Sequence, residues 1–402
     1  MEPRAMAEGA RLTRDESYGP GGSIAVLGHI CLDIIPRFDD AASGELRPGE
    51  LVQVGPALRA TGGAVSNTGL ALHRLGLPVR LQGKIGDDLF GDEIKRLLHA
   101  QHPSLAESMS VVPGETTSYS VVINPPGIDR TFLHCPGAND TFIDRDVDWG
   151  ALDDASLLHF GYPPIMRAIQ RDGGEAMSAI FEQARGRGVI TSLDMCGVDP
   201  ASEAGKIDWR AWLARVLPSV DLFLPSLDET LAMLGREPAG AEPEPLRSVG
   251  EELLDMGASV VVLKLGDDGL YLRSRGEGSF AGGLEARLDA SAWRDRELYA
   301  PCFEVEVAGT TGAGDCTIAG FLAGVHRGAG PEDCVTLGAA VGGCSVEAAD
   351  ATSAVPPLDH CINRLKSRWP ARPPAAGFAD WPRRDHLFVG DHDAHLSLAR
   401  DS

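Results

Sequence analysis

Basic side chains are in short supply: 36 Lys and Arg stand against 58 Asp and Glu, giving the 402-residue chain a net charge of −22. A surface of that sign repels phosphate backbones and anionic lipid, which argues against nucleic-acid and membrane partners. Any anionic ligand must then be held by local devices. No run approaches the ~18 apolar residues of a membrane span. The opening MEPRAMAEGARLTRDESYGPGG lacks the apolar centre of a secretory signal, so a cytoplasmic location is expected. The eight cysteines form no C-x-x-C pair and lie mostly beside apolar residues, as reduced structural thiols do. No G-x-x-x-x-G-K-[ST] loop and no repeat of solenoid period occurs.

What is present reads as globular, with 43% hydrophobic and 23% charged residues, and 48 Gly and 27 Pro spread without period. At roughly 150 residues per domain, the length allows about two or three domains or one large α/β domain. Short apolar runs alternate with helix-period segments. Strands are predicted at Ile24–Leu27, Val79–Gln82, Leu157–Phe160, Val189–Leu193, Asp221–Leu224, Val260–Leu265 and Phe303–Val307. Helices are predicted at Val65–Leu75, Phe90–Leu98, Met177–Arg185 and Cys316–His326. Alternation of this kind implies a mostly parallel sheet flanked by helices on both faces.

Two segments break the rhythm. Residues 31–61 and 111–135 carry short alternating pieces, Leu51–Val54, Ser118–Ile123 and Arg130–Leu133, which predict a small antiparallel β lid. Residues 1–21 are polar and without period, as in a disordered leader. The body is expected over 22–365. Beyond it, 366–402 is a Pro-rich extension in which Pro370, Pro373, Pro374 and Pro382 disfavour a long helix, leaving an extended strap or partial disorder.

The most informative stretch is VAGTTGAGDCTIAGFL, Val307 to Leu322. A glycine turn leads into a helix whose apolar face is Ile318, Phe321, Leu322 and Val325, so Gly312, Ala313 and Gly314 fall at its N-terminus. Backbone N–H groups there have no intrahelical acceptor and the helix dipole adds positive charge, the makings of an anion site. Asp315 is out of place if its task is to bind an anion. It fits if it takes a proton from a hydroxyl attacking a phosphate. An Asp that merely stabilises a helix's first turn is the plainer alternative.

GTTGAGDCTIAGFL resembles the C-terminal signature of the PfkB (ribokinase-like) carbohydrate kinases, and TGGAVSNTGLALHRLGLPVRLQGKIGDDLFGDEI resembles their N-terminal one. The similarity runs from about Ser23 to about Pro356 and includes LLHFGYPP, DLFLPSLDE and VVVLKLGDDGLYL. It implies a ribokinase-like α/β fold and ATP-dependent transfer of a γ-phosphoryl group to an alcohol. By position, Asp315 would be the base, with the backbone of Gly312, Ala313 and Gly314 as the anion hole. The acceptor would be held by Asp33, Gly62, Gly63, Asn67 and Arg130, although Asp33 also reads as a turn residue, Asn67 as a helix cap and Arg130 as a solvated charge. ATP would meet Lys264, Gly266, Gly269 and Thr311, while a plain β-turn accounts for the two loop glycines. Glu229 would organise Mg²⁺ and its waters, a helix-surface Glu being the alternative.

Three positions depart from the family pattern. Gly309 replaces the Asp that usually opens the second signature, which puts monovalent-cation activation in doubt; Ser226 and Cys196 stand where relatives carry Asn. Apart from Arg37, Arg47 and Arg59, residues 33–70 offer no cluster of Lys and Arg for a phosphorylated acceptor beside that site, so a neutral sugar or a sugar acid is expected. A nucleoside kinase and a non-catalytic sensor are the competing readings. Related kinases often pair through their lids, which makes a homodimer through the lid an expectation by analogy.

Overall fold

The computed structural model describes residues 21–38, 48–49, 51–125, 130–276, 280 and 283–395. The expected leader, Gly21 excepted, and parts of the lid segments lie outside these residues. In chain order the strands are β1 (Ser23–Gly28), β2 (Cys31–Arg37), β3 (Gly55–Gly62), β4 (Val79–Gln82), β5 (Lys84–Gly86), β6 (Ser110–Val112), β7 (Tyr119–Ile123), β8 (Thr131–Cys135), β9 (Ala155–Gly161), β10 (Ile190–Leu193), β11 (Leu222–Phe223), β12 (Val260–Lys264), β13 (Leu270–Ser274), β14 (Glu297–Ala300), β15 (Arg383–Arg384) and β16 (Leu387–Val389).

Ten of these strands form one sheet in the order β15-β16-β14-β13-β12-β11-β10-β9-β1-β4. From β4 to β12 every neighbour is parallel; from β12 outward to β15 every pair is antiparallel. Successive side chains of a strand point to opposite faces, so a sheet covered on both sides needs apolar residues at every position. Accordingly Ile24 and Val26 enter the core on one face, and Ala25 and Leu27 the core on the other. Helices predicted from periodicity are present at Ala64–Arg74, Leu89–Gln101, Glu175–Gly186 and Ala313–His326. Among the described residues no helix is long and apolar enough to cross a membrane.

The lid is a four-stranded sheet in the order β3-β2-β7-β8. It is mixed, where an antiparallel sheet was expected: β2 pairs with β3 and β7 with β8 antiparallel, but β2 and β7 run parallel. The two hairpins are separated by residues 63–118, a connection long enough to bring the second back in a parallel sense. Leu51–Val54, predicted as a lid strand, is irregular, and pairing begins only at Gly55.

Phe303–Val307 is likewise not a ladder strand. Only Phe303 makes a bridge, to Ala371, because the chain's own extension takes the place of a sheet neighbour. Trp369 stacks on Phe303 with ring centroids 4.6 Å apart, and Glu304 N–H donates to Pro370 O. Further on, β15 and β16 add to the main sheet beside β14, and the fully buried Phe378 stacks on Tyr299 at 3.8 Å. Arg296 and Asp393, both buried, pair at 2.9 Å.

Parallel strands all point their carboxyl ends to one edge of the sheet, where ligands of open α/β sheets bind. Here His29 directly follows β1, Tyr162 follows β9 and Asp194 follows β10, Lys264 ends β12, and Gly314 in the first turn of the helix Ala313–His326 lies against Lys264. If the extension belongs to this core, Phe378→Ala will lower the urea unfolding free energy by about 3–5 kcal/mol, and a loss below about 1 kcal/mol would show that the extension unfolds independently.

Candidate active site

The turn before the helix is shaped by its glycines. Gly312 is the N-cap with φ 69°, in the left-handed region that favours glycine, and a Cβ there would approach Ala351 Cβ to 2.6 Å. No side chain caps this helix end. Of the three anion-hole amides expected, that of Ala313 is already engaged: it donates to Thr310 O at 3.2 Å, closing the turn. Gly314, one residue into the helix, presents its bare face to Lys264, whose Nζ would lie 3.6 Å from a Cβ at that position. The first turn of the helix and an ammonium therefore lie side by side.

Asp315 is buried, and both of its carboxylate oxygens are held. Asn67 Nδ2 donates to Oδ2 at 3.0 Å, the Tyr162 hydroxyl to Oδ2 at 2.7 Å, and Thr68 Oγ1 to Oδ1 at 3.3 Å. Burial pushes the Asp315 carboxyl above its ordinary value, while the Lys264 charge and the three hydrogen bonds pull it back. The result is a dry, oriented carboxylate, more basic than one in water. Tyr162 reaches it from a left-handed backbone, φ 68°, unusual for a bulky residue and one that persists only where the surroundings over-determine it.

Lys264 Nζ donates to the buried Asp194 at 2.7 Å. Burial works against the ammonium, but the carboxylates of Asp194, Glu229 and Asp315 outweigh it and hold Lys264 above its ordinary value. Glu229 lies in the first turn of the helix Leu227–Met233, where one of its oxygens accepts from Ser226 N–H at 3.1 Å in a capping box. Three carboxylates thus face one ammonium. That local excess of negative charge suits a divalent cation carried in with phosphates, which needs few protein ligands. Among the described residues no group of three or more His, Cys, Asp or Glu is arranged to hold a metal unaided.

On the lid side Asp33 lies within β2, opposite Ala60 of β3 and Ser120 of β7, and so is not a turn residue. Burial pushes its carboxyl up to about 6, against hydrogen bonds from Cys31 and Ser120. The glycine pair makes room on either side: a Cβ on Gly62 would meet Asp33 Oδ2 at 2.2 Å, and one on Gly63, φ 86°, would meet His29 Nδ1 at 2.5 Å. Asn67 is inside the helix Ala64–Arg74 and is committed to Asp315, so it is not a cap. Arg130, next to β8, donates to Thr311 Oγ1, tying the lid to the glycine turn.

The loop glycines divide. Gly269, φ 106°, serves the sheet, since a Cβ there would strike Ala300 O at 2.0 Å; Gly266, φ 63°, faces open space. Gly309 is packed against residues 348–349, its Cβ position 2.9 Å from Ala349 Cα, so the aspartate that relatives carry would require that loop to shift.

A profile of the pfkB family carbohydrate kinases matches residues 22–358. The chain belongs to this family. Its members are phosphotransferases with an alcohol group as acceptor. An uncharacterized sugar kinase of Archaeoglobus fulgidus is 26% identical over 293 residues, covering 71% of this chain and 98% of that protein. A nucleoside kinase of Methanothermobacter thermautotrophicus is 24% identical over 355 residues, covering 87% and 98%. Among solved structures, the Arabidopsis thaliana ribokinase complexed with ribose and ATP shares the fold with a TM-score of 0.68 at 20% identity, over 86% of this chain and 99% of that one. The resemblance and the ribokinase-like fold read from the sequence are thus borne out.

Tyr162, Thr68 and Asp194, which complete this pfkB kinase's cradle, went unmarked in the sequence. Only the GYPP that follows β9 hinted at Tyr162, a tyrosine ahead of two prolines. Because its hydroxyl stabilises the ionised carboxylate, Tyr162→Phe will push the Asp315 carboxyl higher still. The acid limb of the kcat profile will move to higher pH, with kcat at neutral pH falling about tenfold. A limb left where it was, measured from pH 5 to 9, would show that the hydroxyl does not act on the base.

Proposed function

We propose that this pfkB-family enzyme transfers the γ-phosphoryl group of ATP to a hydroxyl of a neutral sugar or sugar-derived alcohol, with Asp315 as general base. The observation that carries this reading is the buried, triply hydrogen-bonded Asp315 carboxylate beside the uncapped helix N-terminus and Lys264. As the acceptor oxygen forms its bond to phosphorus, its proton passes to Asp315 and the bond to the ADP oxygen breaks. Charge on the moving phosphoryl group faces the Gly312–Gly314 turn and the Lys264 ammonium. Mg²⁺ bound with the nucleotide neutralises phosphate charge, and Glu229 is the residue that would hold its waters. Asp33 would accept hydroxyls of the acceptor, and the Arg130–Thr311 bond would set the lid against the turn.

The expected acceptor site supports a neutral ligand: Asp33 is neighboured by Ser120, which is bonded to the neutral-leaning His134, and Arg130 is bonded to Thr311. A nucleoside is the second reading, favoured by the likeness to the Methanothermobacter thermautotrophicus protein. Leu58, Phe132 and Leu133, exposed on the lid sheet, support pairing of two copies through the lid.

ADP release measured against sugars, sugar acids and nucleosides tests the reading. At least one member will drive Asp315-dependent release, and Asp315→Asn will fold normally while losing about 10²–10⁴ in kcat. Tight binding without Asp315-dependent release on any member would favour a sensor. The Asp33 carboxyl also gives a pH signature. It is ionised above about 6 and protonated below, so the acceptor KM will rise as pH falls through about 6, and Asp33→Asn will remove that dependence along with much of the affinity. An acceptor KM that stays level across this range would mean that the ionised carboxylate does not hold the acceptor.

A further inference from the structure

Among the described residues, His29 is a buried polar side chain that the mechanism leaves without a task. His29 follows β1 directly and is 2% exposed, and neither Nδ1 nor Nε2 finds a hydrogen-bond partner among the described residues. An unmatched buried polar group is costly, and a bound group offering the missing hydrogen bond would offset that cost. Its place is informative. The consecutive glycines Gly62 and Gly63 each yield space to one polar side chain, the first to the Asp33 carboxylate and the second to the His29 imidazole. The same backbone therefore carries both groups at the acceptor site. His29 also lies between the His134 ring, 5.2 Å away on lid strand β8, and the Tyr162 ring, 6.3 Å away, whose hydroxyl holds Asp315.

Burial and the neighbouring His134 drive the His29 ring down to about 3, so it stays a neutral imidazole with one N–H to give and one lone pair to receive. A hydroxyl can match either nitrogen, accepting from the N–H or donating to the lone pair. We propose that His29 is a specificity-determining residue of the acceptor site, hydrogen-bonded to a hydroxyl of the bound alcohol alongside Asp33 and reached past His134 of the lid. This rests on the kinase reading above and adds that the acceptor is read by a neutral donor–acceptor pair as well as by a carboxylate. A group that only accepts, such as a carboxylate, would leave the imidazole lone pair unmatched.

The test uses the full-length protein with D-ribose, D-fructose, D-gluconate and adenosine as probes in the ADP-release assay. For the probe turned over, His29→Phe is expected to raise the acceptor KM about tenfold or more, with the KM for ATP within about twofold and kcat within about threefold. His29→Asn, whose amide both donates and accepts, will recover part of the loss. In the wild-type enzyme the ¹⁵N signals of the His29 ring will shift on adding that probe without ATP. An unchanged acceptor KM in His29→Phe, equal losses toward ATP and acceptor, or, should that variant not fold, ¹⁵N signals unmoved at saturating probe would overturn the assignment while leaving the kinase reading intact. Absence of turnover and of binding with every probe would instead remove the kinase reading, and the role of His29 with it.

Discussion

One buried negative charge organises the site. Taking a carboxylate out of water is expensive unless donors replace the lost hydration. Asp315 draws those donors from separate parts of the chain: Asn67 and Thr68 from the helix after the lid's first hairpin, and Tyr162 from the end of β9. The helix Ala64–Arg74 packs on the helix Ala313–His326, and that contact is what lets the bonds form. The buried Asp315 carboxylate thus also fixes how the lid's base meets the sheet. The strained Tyr162 backbone shows the same priority, local conformational cost accepted to bring a hydroxyl to the carboxylate.

Charge is arranged against the global trend. On a chain with a net charge of −22, the Lys264 ammonium is held beside the helix N-terminus by Asp194 and Glu229. These carboxylates keep the lysine charged in a buried setting and position it. They also leave this corner of the site with more negative than positive charge, a setting that suits a divalent cation.

Much of this was legible in the sequence because it is local. The glycine turn and the apolar face after it announce a helix N-terminus with Asp315 in its first turn, and continuous apolar runs announce strands buried on both faces. What was missed depends on contacts between distant segments. Asn67 reads as a cap until the fold sets it against a carboxylate 248 residues away. The β2–β7 pairing has no local signature, since strand direction in a mixed sheet follows from the path of the intervening chain. Phe303–Val307 has the alternation of a strand but lacks a ladder neighbour, because the extension occupies that edge.

The extension's route over the sheet bears on when the molecule becomes complete. Ala375 N–H donates to the Tyr299 hydroxyl, which donates to Asp268 O, and Arg372 pairs with Asp267 across 105 positions of chain, so the loop at 266–269 is braced by a distant, later segment. A nascent chain that has not yet released residues 369–389 from the ribosome lacks β15, β16 and that brace. The turn at 309–315 therefore emerges before the loop at 266–269 has its final support, and that side of the site is completed only when the extension has folded back onto the sheet.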